Sequence, residues 1–470
     1  MGKHKAAEAG LGYTIGNILI RAISFITLPI FTRLMSTDDY GLYSTYVSYE
    51  SILALIISLG LYASLKMANI EYRGHIDEYV SVISLLPLII FLFFGFTTFF
   101  FADYLTAFTS FPFFIIVLML FNALASSYIN IYNGRVSLDF AYKKYLLISM
   151  IIAVGNVALS LLLMLTLFKD NAFEGRIVGS VIPITLIAAL IFFSFSKKAR
   201  PRINHEYCKF GLKYSLPLIP HGLSQIVLAQ FGKIVIQKAV SNSAAGIYGF
   251  AYTIVLIPQV LSTSFDSAWG PWFFEQYDRK NYDAIRRGTT LVVMLFSFAT
   301  FGLCSVSPEI IKILGERSFW ESSYIIIPSL LGAYFAFLYL LPAQVEYFHK
   351  KTKYIAMGTM LAAVFNIVGC IVFIPMFGYE SAVYVTLATY ILYFIAHMFI
   401  AYRIQHEHFP MNIKEVVMCI IVTCLGCALL HVFVDLWVVR YLLLFIVMSI
   451  FLYAKHNEIL VFVKSIKKKG

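Results

Sequence analysis

Leu11–Tyr43 reads LGYTIGNILIRAISFITLPIFTRLMSTDDYGLY, and the run from 11 to 35 holds only two charged groups, Arg21 and Arg33. A helix of about 20 apolar residues crosses the hydrocarbon core of a bilayer. Backbone groups in lipid must be satisfied internally, so only a helix or a closed barrel can span. This run is continuous rather than alternating, which selects the helix. Comparable runs recur at 42–65, 79–101, 111–133, 144–168, 176–196, 213–238, 247–274, 288–307, 321–346, 354–374, 381–402, 415–434 and 440–455, the last being the shortest. The sequence therefore predicts an all-α integral membrane protein with about fourteen transmembrane helices.

Composition agrees. The 470 residues are 60% hydrophobic and only 13% charged, against roughly 25% charged in a soluble protein. Mean hydropathy is +0.81. The 43 Phe and 31 Tyr suit lipid-facing and interfacial surface. Residues 1–10 are short and polar, and no A-x-A-type site follows the first run, so no cleavable leader is expected. Of six cysteines, only Cys208 lies outside an apolar run, so no disulfide framework is implied. Cys419, Cys424 and Cys427 lack a second Cys pair or nearby carboxylates and do not read as a zinc site.

The net charge of +11 is explained by topology. With residue 1 on the cytoplasmic side, the inner loops collect Lys3, Lys5, Lys66, Arg73, Arg135, Lys143, Lys144, the 197–213 cluster, Arg279, Lys280, Arg286, Arg287, Lys350, Lys351, Lys353, Arg403, Lys414 and the tail lysines. The outer side has Lys169, Arg176, Lys312, Arg317 and Arg440. That asymmetry is the positive-inside pattern and puts both termini in the cytoplasm. Nucleic acid is not required as a partner.

An internal repeat organises the chain. Arg33-Leu-Met-Ser-Thr-Asp-Asp-Tyr-Gly-Leu-Tyr43 joins spans 1 and 2, and Lys238-Ala-Val-Ser-Asn-Ser-Ala-Ala-Gly-Ile-Tyr248 joins spans 7 and 8. Arg33, Ser36, Gly41 and Tyr43 correspond in register to Lys238, Ser241, Gly246 and Tyr248. Each serine is placed to cap the following helix, and each glycine to relieve the bend. Six spans separate the copies, an even number, so the halves share one orientation, as in parallel-repeat transporters with a substrate path between halves. The expected organisation is an N-terminal lobe over 1–196, a cytoplasmic linker over 197–212, a C-terminal lobe over 213–402, and spans 13 and 14 with a basic tail over 403–470.

Ionisable groups at membrane depth are costly and mark function. Arg21 lies near the middle of span 1 on a stripe with Thr14, Asn17 and Ser24. Lys233 lies in span 7, the repeat-mate of span 1, with Gln225, Gln230 and Gln237 nearby and His221 further in. Arg33 and Lys238 stand near the outer surface, where snorkelling competes with a lumen role. Pro29, Pro217 and Pro220 interrupt the same two spans, as in cavity-lining helices. Facing cations across one lumen suit an anionic substrate, and Arg matches phosphate oxygens. Glu50 and Asp266 are the candidates for ion coupling, with pairing of Glu50 to Arg21 or Arg33 as the plainer alternative. Helix–helix hydrogen bonding is the plainer role for His221 and the glutamines.

The opening GLGYTIGNILIRAISFITLPIFTRLMSTDDYGLYSTY resembles the first hairpin of Wzx-type polysaccharide flippases, within the multidrug/oligosaccharidyl-lipid/polysaccharide exporter superfamily. The resemblance extends to the span count, the 6 + 6 + 2 layout and both hairpins. It implies alternating access between two six-helix lobes around a central lumen. It also implies an undecaprenyl-pyrophosphate-linked oligosaccharide as cargo, contacts from Arg21 and Lys233 to its pyrophosphate or acidic sugars, and a proton or sodium gradient as energy source. A partner polymerase or export machinery in the bacterial cytoplasmic membrane fits the same picture. No cofactor or nucleotide is expected: Gly232-Lys233 lacks the glycine spacing and Ser/Thr of a P-loop. Two alternatives remain. A multidrug exporter of the same superfamily would want acidic lumen groups, which Glu50 and Asp266 offer. A membrane polysaccharide polymerase or ligase would want a large outer loop with acid–base residues, and every outer loop here is short.

Overall fold

A computed structural model describes the backbone of residues 2–199, 203–407 and 409–449, and their side chains apart from those of 2–9, Leu11 and Thr14. The expected contributions of Lys3, Lys5, Thr14, Arg200, Arg202 and the tail lysines lie outside the described residues.

The helices, in chain order, are α1 (Gly2–Leu34), α2 (Thr37–Ser58), α3 (Leu65–Glu71), α4 (Ile76–Ile83), α5 (Leu85–Phe100), α6 (Ala102–Thr109), α7 (Phe113–Leu138), α8 (Tyr142–Leu165) and α9 (Ala172–Lys198). They continue as α10 (His205–Ser215), α11 (Ile219–Ala239), α12 (Asn242–Asp278), α13 (Tyr282–Leu314), α14 (Ser323–Leu338), α15 (Leu340–Phe348), α16 (Thr352–Phe377), α17 (Glu380–Ile404), α18 (Ile413–Val432) and α19 (Trp437–Ser449). Among the described residues 11 helical segments are long and apolar enough to cross a membrane, or 12 if the bent pair α2 and Leu61–Glu71 counts as one span.

Two of the fourteen expected spans fall outside that number. The run 213–238 is divided: an amphipathic α10 ends at Ser215, a 3-10 turn holds Pro217, and α11 carries His221, Gln225, Gln230, Lys233, Gln237 and Lys238. At 21 residues α11 is long enough but too polar to pass on hydropathy. The run 440–455 is represented by the short apolar helix α19, and its end lies outside the described residues. Span 2 is broken rather than straight. Leu59 (φ 48°) and Gly60 (φ 62°) both take left-handed backbone, and the chain bends by 47° there.

The chain divides into two compact units, one of 1–250, 314–319 and 352–389, the other of 251–313, 320–351 and 390–470. In the first, α2 packs on α7 and α11, α11 also packs on α16, and α8 packs on α1 and α9. Its helix starts are built as the sequence suggests. Ser36 Oγ accepts from Asp39 N at 3.0 Å while the Asp39 carboxylate accepts from Ser36 N at 3.3 Å, a reciprocal capping box. In the second hairpin Ser241 Oγ accepts from Ala244 N at 3.0 Å, the same position in the repeat.

The repeat glycines do something other than relieve a bend. Gly41 and Gly246 sit inside helices with ordinary helical backbone, where α2 crosses the start of α12. A methyl group on Gly41 would overlap the Asn242 carbonyl, and one on Gly246 would overlap the Thr37 carbonyl. Ser243 Oγ donates to Thr37 Oγ1 at 2.7 Å beside them. Small residues at such a crossing let two backbones approach, the recurring device of helix association in lipid.

In the second unit, α14 packs on α18, and α14 hands over to α15 at Tyr339. Arg440, at the start of α19 and 1% exposed, holds the Glu309 carboxylate of α13 with both terminal nitrogens (Nη1 to Oε2 2.9 Å, Nη2 to Oε1 2.5 Å) and also bonds the Ser305 carbonyl.

Candidate functional site

Span 7 carries the densest polar face. Gln230, Lys233 and Gln237 recur at one-turn spacing on α11. Lys233 is buried, and its Nζ donates to Gln230 Oε1 at 2.9 Å. The same Oε1 accepts from Ser48 Oγ on α2 at 3.2 Å. Gln237 is buried too, and neither of its amide atoms has a hydrogen-bond partner among the described residues. A buried amide left unpaired is expensive, so this face is under-satisfied as it stands. Gln225 and His221 are half-buried, with His221 Nδ1 unpartnered among the described residues.

On α1 the expected residues are open. Arg21, Asn17 and Ser24 are exposed, and Asn17 Oδ1 accepts from Tyr145 OH at 2.5 Å. Ser24 turns back on the carbonyl of Ile20 at 3.5 Å. Arg21 and Lys233 thus occupy different environments in this conformation, one exposed and one packed between helices.

The outer pair has structural partners. Arg33 Nη1 donates to the Pro29 carbonyl on its own helix at 2.7 Å. Lys238 bonds the Phe108 carbonyl and stands 4.4 Å from the centre of the Phe108 ring. These are contacts of the kind a snorkelling cation makes near an interface.

Of the two carboxylates singled out, Glu50 is half-buried and accepts from Ser126 Oγ on α7 at 3.1 Å. Among the described residues it forms no ion pair with Arg21 or Arg33. One turn away Asn122 donates to Tyr46 OH at 3.4 Å, so α2 and α7 are joined by two polar rungs. Asp266 Oδ1, on α12, accepts from Gln344 Nε2 on α15 at 2.8 Å.

Several polar contacts among the spans were not foreseen. Arg176 lies 3.7 Å above the Phe31 ring centre and donates to Asn156 Oδ1 at 2.7 Å and Ser160 Oγ at 3.0 Å. In the second unit Glu346 and His397 are both wholly buried, with Oε1 2.6 Å from Nδ1. Both sit at or inside runs that read as plain apolar spans, and only their charge in such a run could have signalled them.

This helical array is that of a multi-pass membrane protein with the fold of the MOP-superfamily transporters. It superposes on the lipid II flippase MurJ in an inward closed conformation with a TM-score of 0.69, at 16% identity, covering 94% of this chain and 99% of that one. An inward-facing multidrug resistance MATE transporter of the MOP superfamily gives 0.63 at 12% identity, covering 84% and 99%. Among relatives in sequence, an Lsg-locus protein of Haemophilus influenzae is 21% identical over 380 residues, 75% of this chain and 87% of that protein. A second H. influenzae membrane protein is 20% identical over 373 residues, 74% and 86%. The model of the polysaccharide biosynthesis protein family matches residues 8–277, more than half the chain, and the chain belongs to that family.

Proposed function

We propose that this protein is a flippase that carries a lipid-linked oligosaccharide, on undecaprenyl pyrophosphate, from the inner to the outer leaflet of a bacterial cytoplasmic membrane. It acts by alternating access and makes or breaks no covalent bond. Membership of a polysaccharide biosynthesis family supplies the pathway class, and the fold shared with a lipid II flippase supplies the mode of action. The observation that carries the reading is the polarity of α11. A helix of 21 residues with Lys233, three glutamines and a histidine is suited to an aqueous, anion-accepting lumen rather than to lipid.

In this reading α11 and α19 complete fourteen spans, with both termini cytoplasmic. The lobes are 1–196 and 213–402, defined by the repeat, joined by 197–212 and followed by spans 13 and 14. Arg21 and Lys233 receive the pyrophosphate or acidic sugars, Asn17, Ser24, His221, Gln225 and Gln230 line the path, and Arg33 and Lys238 stand at its outer end. Lys233, buried here, reaches the lumen when α2 and α11 part. Glu50 and Asp266 are candidates for ion coupling. A polymerase or export complex would take the flipped unit.

The second reading, an ion-coupled multidrug exporter, draws on the membrane-depth carboxylates Glu50, Asp266 and Glu346 and on the MATE-like fold. One experiment separates the two. A deletion strain is complemented with wild type, Arg21→Ala, Arg21→Lys and Lys233→Ala, scoring surface polysaccharide and the leaflet in which lipid-linked units accumulate. Restoration by wild type, with inner-leaflet accumulation in Arg21→Ala at normal protein level, supports the flippase. Unchanged surface polysaccharide on deletion turns the reading toward drug efflux.

A further inference from the structure

The second unit contains a buried acid–base pair with no part in the cargo path described above. Glu346, on α15, and His397, on α17, are both 0% exposed, and their facing atoms are 2.6 Å apart. Their outer atoms, Glu346 Oε2 and His397 Nε2, have no hydrogen-bond partner among the described residues. The pair is walled by aromatic rings: Tyr393 edge-on to the imidazole at 4.5 Å and Tyr339 at 5.8 Å, themselves 4.5 Å apart. Tyr339 stands between α14 and α15 with right-handed helical backbone (φ −64°, ψ −24°), so the two run on as one span. The other titratable groups facing this pocket are Tyr347 on α15, within electrostatic reach of both Glu346 and Asp266, Tyr390 on α17, and Asp266 on α12, held through Gln344.

Charge bookkeeping limits what this pair can hold. With no proton on it, the pair is a bare carboxylate sealed from water, which a membrane interior does not tolerate. With one proton, whether on the carboxylate or on the imidazole, it is neutral overall and internally hydrogen-bonded. With two, it carries an unpaired buried positive charge. The closed pocket therefore stabilises one proton. A metal cation fits poorly: hard cations gather several oxygen ligands, whereas here an imidazole occupies one Glu346 oxygen and Gln344 engages Asp266. The two members come from different helices, Glu346 from α15 and His397 from α17, so separation of those helices is what would expose the pair to water.

We propose that Glu346 and His397 form a proton-binding site that is loaded in the closed pocket and discharges to water when α15 and α17 part, coupling proton movement to the transport cycle. This rests on the carrier reading and names its ion. The proton enters from water, is shared between Glu346 Oε1 and His397 Nδ1, and returns to water; nothing else is consumed.

The test uses the full-length protein in detergent and in cells. Replacing a buried ion pair with apolar residues of similar size is often neutral for folding. Purified wild type, Glu346→Leu/His397→Leu and Glu346→Gln are unfolded at about pH 8 in weakly buffered indicator dye, where a solvated glutamate and a solvated histidine hold no extra proton. The same proteins are scored for complementation of the deletion strain. The expected result is one more proton released per chain on unfolding by the wild type than by the double variant, together with loss of surface polysaccharide in the double variant at normal protein level. If the leucines lower the protein level, Glu346→Gln carries the same test, since it keeps the shape and a hydrogen bond but holds no proton. Equal proton release by wild type and variants overturns the proposal, and so does a double variant that restores polysaccharide as fully as wild type. Unchanged surface polysaccharide on deletion overturns the flippase reading, and the proton count still decides the site.

Discussion

Gly41 and Gly246 occupy the same position in the two halves of the repeat, and each packs against the carbonyl that belongs to the other's turn. Gly41 meets Asn242 and Gly246 meets Thr37, and those two carbonyls also correspond in the repeat. The contact is thus reciprocal, as expected where two copies of one hairpin meet about a local two-fold axis. It predicts that Gly41→Ala or Gly246→Ala forces the hairpins apart at about 1–3 kcal/mol. Because both substitutions relieve the same crossing once the backbones have moved, the double variant should cost less than the sum. Thermal unfolding of the purified protein reads both results, and simple additivity would refute the shared contact.

Gly60 tests a different kind of constraint. Its φ of 62° is left-handed, and an added methyl group would find its nearest neighbour, Ser215 Cβ, at 3.8 Å. There is room for a side chain, so Gly60→Ala pays only for backbone conformation, about 1–2 kcal/mol. Gly74, also left-handed (φ 88°) but with nothing near its added methyl, is the control for the same term away from the bend in span 2. If the bend matters for transport, Gly60→Ala lowers complementation more than Gly74→Ala at equal stability loss.

Lys233 separates folding from transport. Lys233→Met keeps an unbranched side chain of similar length and removes only the ammonium. Gln230 Oε1 retains Ser48 as donor, so stability should change by about 1 kcal/mol or less. Surface polysaccharide should nevertheless be lost if the ammonium receives the cargo's anionic groups. Full complementation by Lys233→Met would assign the lysine to helix packing alone.

Legibility from sequence followed the physics of each signal. Long apolar runs located most helices, because hydropathy averages over a whole span and needs no tertiary information. Bounds were less legible where polarity is concentrated, since the run 213–238 is divided between α10 and α11, and where the apolar stretch is short, at α19. The capping serines Ser36 and Ser241 were readable because a cap is a local bond, whereas the role of Gly41 and Gly246 depends on which helix lies opposite. Likewise Arg21, Lys233, Glu50 and Asp266 announce themselves as lone charges in apolar runs. Gln230 was legible as a same-helix neighbour of Lys233, whereas Ser48, Ser126 and Gln344 come from elsewhere along the chain, as do the two members of the Glu346–His397 pair.

Arg21 and Arg440 are the same residue type in opposite settings, and the contrast yields the sharpest expectation. Arg21 is exposed on α1, so Arg21→Ala should leave stability within about 0.5 kcal/mol while abolishing polysaccharide export. Arg440 is 1% exposed and grips a carboxylate that is itself about two-thirds covered. Arg440→Ala strands Glu309 and the Ser305 carbonyl and should cost about 2–4 kcal/mol, less than a fully buried pair because water still reaches Glu309. Arg440→Lys should rescue little of this, since a single ammonium cannot reproduce the two-pronged bond. Glu309→Leu/Arg440→Leu, which removes both charges together, should recover most of the loss. Thermal unfolding read beside complementation should then show Arg21→Ala stable and inactive, and the Arg440 single variants depleted from the membrane. An Arg440→Ala protein as stable as wild type would mean that the Glu309 pair contributes nothing to holding α19 against α13.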